Sequence, residues 1–344
     1  MRPSSRTLAA LVALATALTV AACGRDEITA PSGGAQQSGA ASQSGAPNLD
    51  TDRLDEVLAS VQETLDHADQ SMDATDLGAR VADPALSLRR AQYALASAKG
   101  AEVAPLTLTA QSVTVTNTDT WPRAIVDIAQ ADAGALPNVF VLTQQDARSD
   151  YKLVNWTRLL GGTSLTTIAV DQGSPYVGAD ATGFVMTPAD AVAAYVDMLN
   201  AGTAGDDHFT TDEFAKTYLD GATSLNDSVK AAGSVTVQAE TPAADAAPPA
   251  GVVLQDGSAL VAASFTYSST YARTVKDSTI KLGGAAATLA GDDPNVVGTV
   301  TAHYVATVLL QIPSAQAGGK ASVVGAERSI VSITRDDSKK PEGE

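Results

Sequence analysis

Hydrophobic residues recur at helical spacing near the start of the folded part of the chain. Leucine and valine lie three and four positions apart over residues 52–69, with Asp and Glu between them, which predicts an amphipathic helix. Asp83-Pro84 supplies an N-cap and a first-turn proline, and Gly100 is suited to end a second helix. We therefore predict two helices before residue 105.

The period then changes to two, as expected for β-strands. Alternating or continuous apolar stretches predict a meander of four or five antiparallel strands between residues 105 and 160, with a polar turn at 146–150. The predicted strands are residues 106–110, 113–116, 124–128, 139–143 and 151–156.

The same order of elements then starts again. Thr187-Pro188 predicts the start of a helix that reaches Asn200, and Asp212-Glu213 predicts a short helix that ends near Gly221. Strands follow from Gly233 onwards. The remaining predictions are strands at 235–239, 259–271, 297–312 and 322–334, and loops at 243–251 and 283–294.

Two units of helices followed by a meander predict an α+β fold class, in which helices cover one face of a curved antiparallel sheet. NTF2-like (nuclear-transport-factor-like) and cystatin-like folds have this order of elements. We expect an N-terminal α+β unit at 51–180, a C-terminal α+β unit at 181–337 and a polar tail at 338–344. The pattern leaves open whether the two units share one sheet.

The N-terminus carries an export signal. Arg2 and Arg6 precede an apolar run at residues 8–20, which is too short to span a bilayer stably. Val20-Ala21-Ala22-Cys23 resembles a lipobox, in which the cysteine sulfur accepts a diacylglyceryl group before cleavage. We predict a lipoprotein signal peptide over residues 1–22; the alternative is a plain signal peptide cleaved after Ala22.

Lipidation of Cys23 would place the protein on the extracytoplasmic face of the cell membrane. Cys23 is the only cysteine, so no internal disulfide is expected. Residues 24–50 are rich in Gly, Ser, Ala, Gln and Pro, which predicts a disordered tether behind the lipidated residue. The lipid on Cys23 is thus the expected contact with the membrane.

The charge of the chain excludes one class of partner. Its net charge is −17, and removal of Arg2 and Arg6 with the signal makes it −19. An acidic surface repels the phosphate backbone, so we predict no nucleic-acid partner. The same charge disfavours docking on anionic lipids, so attachment depends on the acyl chains.

Motifs that carry chemistry are absent from the sequence. The histidines His67, His208 and His303 lie far apart, and no zinc, phosphate-loop or nucleophile-elbow motif occurs. Asp206-Asp207-His208 with Asp212-Glu213 suggests either a weak cation site or, more simply, a polar loop before a helix. Asp292-Asp293-Pro294-Asn295 is interpreted as a turn. We predict no catalytic residue, no metal site and no cofactor.

Aromatic residues are few, and two groups stand out. Trp121 and Trp156, the only tryptophans, are expected to pack in the first core or to line a concave pocket. Tyr267 and Tyr271 are four residues apart on one predicted strand and so face the same side, and Tyr304 lies on another. These tyrosines are expected in the core or lining a cone-shaped cavity.

Several segments together resemble a known family. They are Trp121-Pro122-Arg123, residues 259–271, Ala302-His303-Tyr304-Val305-Ala306, Val324-Gly325-Ala326-Glu327 and residues 332–337. The chain resembles an uncharacterised family of actinobacterial lipoproteins and secreted proteins over about residues 50–337. The resemblance implies no activity and no catalytic residues.

Three hypotheses of function follow. The first is a non-catalytic binding or interaction module of the cell envelope, with an unknown envelope protein or a small ligand as partner. The second is an enzyme or small-molecule binder that uses a cone-shaped pocket, recognisable by an acid–base pair inside it, with His303 as the residue to check. The third is a structural spacer, which predicts no pocket. We favour the first.

Overall fold

The computed structural model describes residues 45–130 and 135–342. The predicted signal peptide, Cys23 and most of the predicted tether lie outside these residues. The first half contains two long helices and five strands: α1 (Thr51–Ser71), α2 (Ala85–Lys99), β1 (Ser112–Val115), β2 (Arg123–Ala129), β3 (Asn138–Gln144), β4 (Lys152–Leu159) and β5 (Tyr176–Gly178). A 3₁₀ turn at Leu77–Ala79 separates the two helices.

The second half repeats helices followed by strands. Its elements are α3 (Pro188–Asn200), α4 (Glu213–Val229), β6 (Gly233–Glu240), β7 (Ala250–Val253), β8 (Ala259–Arg273), β9 (Ile280–Lys281), α5 (Gly284–Ala290), β10 (Asn295–Val296), β11 (Thr299–Ile312), β12 (Ser322–Asp336) and a 3₁₀ turn at Asp337–Lys339. The structure combines helices with a mostly antiparallel sheet, which confirms the predicted class as far as the mixture of helices and antiparallel strands.

Ten of the described strands form one continuous sheet, in the order β1-β2-β3-β4-β12-β11-β8-β7-β5, with β6 paired to the far end of β8. The two predicted units therefore share a sheet. The joint between β4 and β12 is narrow, with only Leu159–Gly325 and Arg158–Ala326 paired. A Cβ on Gly325 would lie 2.7 Å from Thr157 Oγ1, so this close approach requires glycine.

The sheet has helices on its outer faces and packs against itself on the inner ones. α1 and α2 cover β1–β4, while α3, α4 and α5 cover β8, β11 and β12. Between the two halves, Val126 and Val141 of the first share a core with Leu260 and Leu309 of the second. The central strands such as β2 and β3 therefore bury both sides, which explains their continuous apolar runs, whereas β6 alternates buried and exposed positions.

The start of α3 confirms its predicted cap, because Thr187 accepts a hydrogen bond from the Asp190 amide. The first helix was predicted from residue 52 without a named cap; α1 begins at Thr51, and Asp50 accepts a hydrogen bond from the Arg53 amide. Gly100 ends α2 with a φ of 62°, as predicted. Pro84, however, precedes α2 instead of lying in its first turn, because the helix begins at Ala85.

The strand predicted at 106–110 is wrong. Leu106 and Leu108 do point into the helix-covered core. The backbone groups of this segment, however, form hydrogen bonds with side chains and not with a neighbouring strand. Gln62 donates to the Leu106 carbonyl and accepts from the Leu108 amide, and Asp127 accepts from the Thr109 amide. An extended segment can satisfy its backbone in this way without joining a sheet.

Other elements also differ from the prediction: β7 begins at Ala250, inside the loop predicted at 243–251, and the short strand β9 was not expected. α4 continues past Gly221 to Val229, because Val229 still packs against the sheet core. The loop predicted at 283–294 contains α5, and β5 was not expected.

The end of the predicted tether is part of the folded body. The Asn48 amide donates to the Thr116 carbonyl over 2.7 Å, and its side chain bonds Thr118 and Thr116. Leu49 packs against the first core, and Asp50 caps α1. Residues 45–50 therefore anchor to the first half, although their composition is that of a linker.

The outer edge of β6 is covered by two side chains. Asn200, at the end of α3, donates to the Ala239 carbonyl and accepts from the Ala239 amide, each over 2.9 Å. Asn226 of α4 accepts from the Val235 amide. Covering an exposed strand edge in this way prevents pairing with other chains.

Replacing Asn200 by alanine is expected to lower the free energy of unfolding by about 1–2 kcal/mol, because the Ala239 amide loses its acceptor and the Ala239 carbonyl keeps only a 3.4 Å bond from Gln238. Asn226→Ala, which removes a single bond, is the matched control and should lose about half as much. Urea unfolding measures both changes. Equal stability of Asn200→Ala and wild type would show that the edge needs no such cover.

No helix within residues 45–130 and 135–342 is long and apolar enough to cross a membrane.

Candidate functional site

Two neighbouring cavities open on the helix-covered side of the sheet. The first, which we call the tyrosine cavity, has a volume of about 320 Å³ and lies between α4 and strands β8, β11 and β12. The second, which we call the α2 cleft, has a volume of about 940 Å³ and lies between α2, residues 101–109, the ends of β3 and β4 and the middle of β12. Leu95, Arg328 and Ser329 line both.

Three tyrosines from different elements form the wall of the tyrosine cavity. The rings of Tyr267 and Tyr304 stack with centroids 4.5 Å apart and planes within 3° of parallel. Tyr218 of α4 meets Tyr267 edge-on, with centroids 5.3 Å apart. Antiparallel pairing sets Tyr304 directly opposite Tyr267, which explains the stack.

These hydroxyls stay protonated at physiological pH. Burial raises the pKa of Tyr218 to about 12. Burial likewise raises the pKa of Tyr304 to about 12, helped by Tyr271 and opposed by the positive charge of Arg328. Burial also raises the pKa of Tyr267, with Arg328 opposing it. The cavity therefore presents neutral phenols, each able to donate a hydrogen bond.

One of the phenols lacks a partner. Tyr218 is 4% exposed, and its hydroxyl forms no hydrogen bond with any described residue. A buried hydroxyl without a partner costs free energy, so such groups in native proteins call for an explanation. Gly221 and Ala222, the next turn of α4, also line the cavity and leave open space beside the ring.

Arg328 is the charged residue of the cavity. Its guanidinium lies 5.8 Å from the centre of the Phe214 ring, and its charge acts on Tyr267 and Tyr304. On β12 it stands opposite Ala306, whose small side chain leaves space beside it. Among the described residues no carboxylate forms an ion pair with Arg328.

The α2 cleft opens where β4 and β12 separate. Beyond the two paired residues β4 turns towards β11, where the Thr307 hydroxyl donates to the Trp156 carbonyl over 2.9 Å. Trp156, Arg158 and Lys99 line the resulting gap, together with Glu102 and Glu327. The cleft thus joins an apolar wall to charges of both signs.

The fold and both cavities fall within a recognised sequence family. A family model described as "Domain of unknown function (DUF8094)" matches residues 46–335. The chain belongs to this family. No curated protein and no solved structure matches it. An uncharacterised family was expected, and that part of the expectation is confirmed; the lipoprotein and actinobacterial parts stay predictions.

Arg89 of the DUF8094 domain lines the α2 cleft, but its guanidinium is already paired in a buried hydrogen-bond network. It is 1% exposed, and its Nε donates to Asp69 over 2.9 Å while Nη2 donates to the other carboxylate oxygen. Gln92 and the Ala104 carbonyl accept further bonds from it, and the Tyr93 hydroxyl also donates to Asp69. Every polar atom is paired, so Arg89 holds α1, α2 and residue 104 together.

The sequence-predicted acidic candidates form turns and caps in the DUF8094 domain. Asp206 accepts from the His208 and Phe209 amides, and Asp212 caps α4 at the Ala215 amide. Asp293 accepts from the Asn295 amide in the predicted turn. No group of three or more His, Cys, Asp or Glu among the described residues could hold a metal ion.

The histidines are not brought together. His67 and His208 are exposed, and neither lines a cavity. His303 is partly exposed and lies 3.0 Å from Thr334 Oγ1 through Nε2, away from both cavities. The residue singled out for an acid–base role is therefore not in the tyrosine cavity of the DUF8094 domain.

The aromatic predictions divide. Trp156 is 1% exposed in the first core and also lines the α2 cleft, as expected of one tryptophan. The expectation that Trp121 also lies in the core or lines a pocket is wrong: Trp121 is 38% exposed, with the Arg123 guanidinium 4.4 Å from its ring. Tyr267 and Tyr304 line the cavity, whereas Tyr271 is buried in the core beside α5.

Analysis of the sequence did not identify Tyr218 and Arg328 of the DUF8094 domain as candidate functional residues. In the sequence, Tyr218 has the pattern of an ordinary core position of an amphipathic helix. Arg328 lies between Glu327 and Ser329 on a long strand, where a charge usually marks the solvent face. Only the missing hydrogen-bond partner and the missing counter-charge distinguish these two, and both are tertiary properties.

Proposed function

We propose that this DUF8094 protein is a lipid-anchored lipoprotein of the extracytoplasmic membrane face whose folded body is a non-catalytic ligand-binding module. The observation that carries the binding role is the tyrosine cavity, where the buried Tyr218 hydroxyl lacks a partner among the described residues. The exposed Arg328, which lies beside Tyr267 and Phe214, forms no ion pair with a described carboxylate. Buried polar groups are normally satisfied, so a ligand that pairs with the Tyr218 hydroxyl gives a physical reason for its presence, and Arg328 is accessible to the same ligand.

The cavities favour a binding role over a spacer. A spacer between membrane and partner needs only stability, and predicts no pocket lined by unpaired polar groups. The enzyme hypothesis predicts an acid–base pair in the cavity, whereas the side chains that line the tyrosine cavity supply neutral phenols and one arginine. These groups orient and hold a ligand.

The anchor rests on the sequence. Arg2, Arg6, the apolar run and Val20-Ala21-Ala22-Cys23 are in the order that a lipoprotein signal requires. A net charge of −17 opposes electrostatic attachment to anionic lipids, so acyl chains on Cys23 are the attachment that fits. As a random coil, residues 24–44 would separate the body from Cys23 by roughly 25 Å on average.

We also propose that each half is related to the NTF2-like or cystatin-like folds. In both halves, helices precede an antiparallel meander and cover one of its faces. The cavity between a helix and a curved sheet agrees with that architecture.

Cys23→Ala is expected to abolish incorporation of an alkyne-bearing palmitate analogue into the full chain in cells, because Cys23 is the only cysteine. The protein should also leave the membrane fraction. Ser44→Ala, in the same linker, is the control and should label as wild type. Undiminished labelling of Cys23→Ala would defeat the proposed anchor.

A further inference from the structure

We infer that the tyrosine cavity binds a small organic acid, a ligand with a flat apolar body and one carboxylate that pairs with Arg328. This inference rests on the proposed function of the body as a binding module. It assigns the chemical class of the ligand from the charge, shape and unpaired groups of the cavity.

The charge of the lining selects an anion. The chain carries 39 acidic and 22 basic residues, yet the described lining of the tyrosine cavity contains Arg328 and no Asp or Glu. The adjoining cleft is lined by the cations Arg158 and Lys99 and by the carboxylates of Glu102 and Glu327, so its charges largely balance. Arg328 is therefore the charge that distinguishes the described lining of the tyrosine cavity, and it attracts an anion and repels a cation.

The geometry of Arg328 favours a carboxylate. A guanidinium is planar and presents parallel N–H groups that match the two oxygens of a carboxylate. Its contact with the Phe214 ring at 5.8 Å holds the side chain beside the cavity. An organic acid can therefore bind without a large loss of arginine side-chain entropy.

The rings determine the shape of the ligand body. Tyr267 and Tyr304 stack in parallel, and Tyr218 stands across Tyr267, so the wall is built from ring faces and edges. Leu225 and Val237 add apolar surface. A volume of about 320 Å³ suits a compound of one or two fused rings, at the lower end of small-molecule sites.

The Tyr218 hydroxyl predicts a second polar point on the ligand. It is buried, protonated and without a partner among the described residues, so it can donate to or accept from a hydroxyl or carbonyl oxygen. A ligand with a carboxylate at one end and such an oxygen at the other would pair with Arg328 and also satisfy the buried Tyr218 hydroxyl.

Isothermal titration calorimetry with the full chain in detergent micelles tests whether the cavity prefers a negatively charged ligand. The probes are 2-naphthoate and 2-naphthamide, which share a shape and differ in charge, with the heat of each probe in protein-free micelles subtracted. We expect the naphthoate to bind about tenfold or more tightly than the amide. Arg328→Gln should reduce naphthoate affinity to that of the amide and leave amide affinity unchanged, whereas Arg53→Gln, far along the chain on α1, should change neither.

A third probe, 6-hydroxy-2-naphthoate, tests Tyr218. In wild type it should bind about three- to tenfold more tightly than 2-naphthoate, and Tyr218→Phe should remove this advantage. Tyr218→Phe deletes only an unpaired hydroxyl, so the fold is expected to persist, as circular dichroism can show.

The outcomes separate the two proposals. Absence of naphthoate binding, or equal affinities of acid and amide, would overturn the organic-acid assignment. Tight binding of the amide alone would show that the body binds ligands but that their class is apolar. Loss of palmitate labelling in Cys23→Ala is independent of these results and tests the anchor.

Discussion

Asp69→Ala is expected to lower the free energy of unfolding by about 3–5 kcal/mol. The substitution leaves Arg89, which is 1% exposed, without the carboxylate that accepts from its Nε and Nη2. Arginine cannot shed its proton, so the charge would remain buried and uncompensated. The Tyr93 hydroxyl would lose its acceptor as well.

Equilibrium urea unfolding followed by far-ultraviolet circular dichroism measures this loss. Asp66→Ala, one turn earlier on the same helix, is the matched control: Asp66 is exposed and accepts only from Gln62. We expect a change within about 0.5 kcal/mol for it. Asp69→Ala combined with Arg89→Met should recover much of the stability, because no charge is then stranded. A loss for Asp69→Ala as small as that of the control would contradict the structural role of the network.

Trp156→Ala is expected to cost about 3–5 kcal/mol. Trp156 is 1% exposed and stands opposite Phe140 in the pairing of β3 with β4, where both side chains face the helix-covered core. Removing it would leave a cavity beside the α2 cleft, and the strand pairing that shapes the cleft would lose its largest side chain.

The chain supplies its own control, since it has one other tryptophan. Trp121 is 38% exposed and its only ring contact recorded among the described residues is with Arg123, so Trp121→Ala should cost about 0.5–1 kcal/mol. Urea unfolding curves compare the stability of the two variants. Tryptophan fluorescence reports the environment of the remaining indole: Trp156→Ala should show the red-shifted emission of the exposed Trp121. Similar stability losses for the two variants would show that Trp156 is not part of the core.

Local patterns in the sequence were sufficient for elements that depend on neighbouring residues. The amphipathic period predicted α1, the Thr187 hydroxyl predicted the start of α3, and Gly100 predicted the end of α2. The paired hairpin of β11 and β12 also agrees with its predicted strands. Caps and periods act over one or two turns, so their physics is contained in the sequence itself.

The same patterns failed where distant groups compete for the backbone. Leu106 alternates with polar residues as in a strand, but the Gln62 side chain, 44 residues away, donates to the Leu106 carbonyl and accepts from the Leu108 amide in place of a neighbouring strand. α4 passes through Gly221 because its apolar face continues to find a partner in the sheet. Tertiary contacts override weak local propensities in both cases.

The sequence by itself determined the acidic charge, the alternation of helices with strands and the faces that are buried. The proposed export signal and lipidation of Cys23 also rest on the sequence alone. The tertiary structure decided which strands meet: β4 joins β12 through two residue pairs, and that joint makes one sheet of two halves. It also brought Tyr218, Tyr267, Tyr304 and Arg328 to one cavity. The physical reason is that a period specifies which side of a strand is apolar, whereas partner choice and cavity shape depend on packing between residues far apart in the chain.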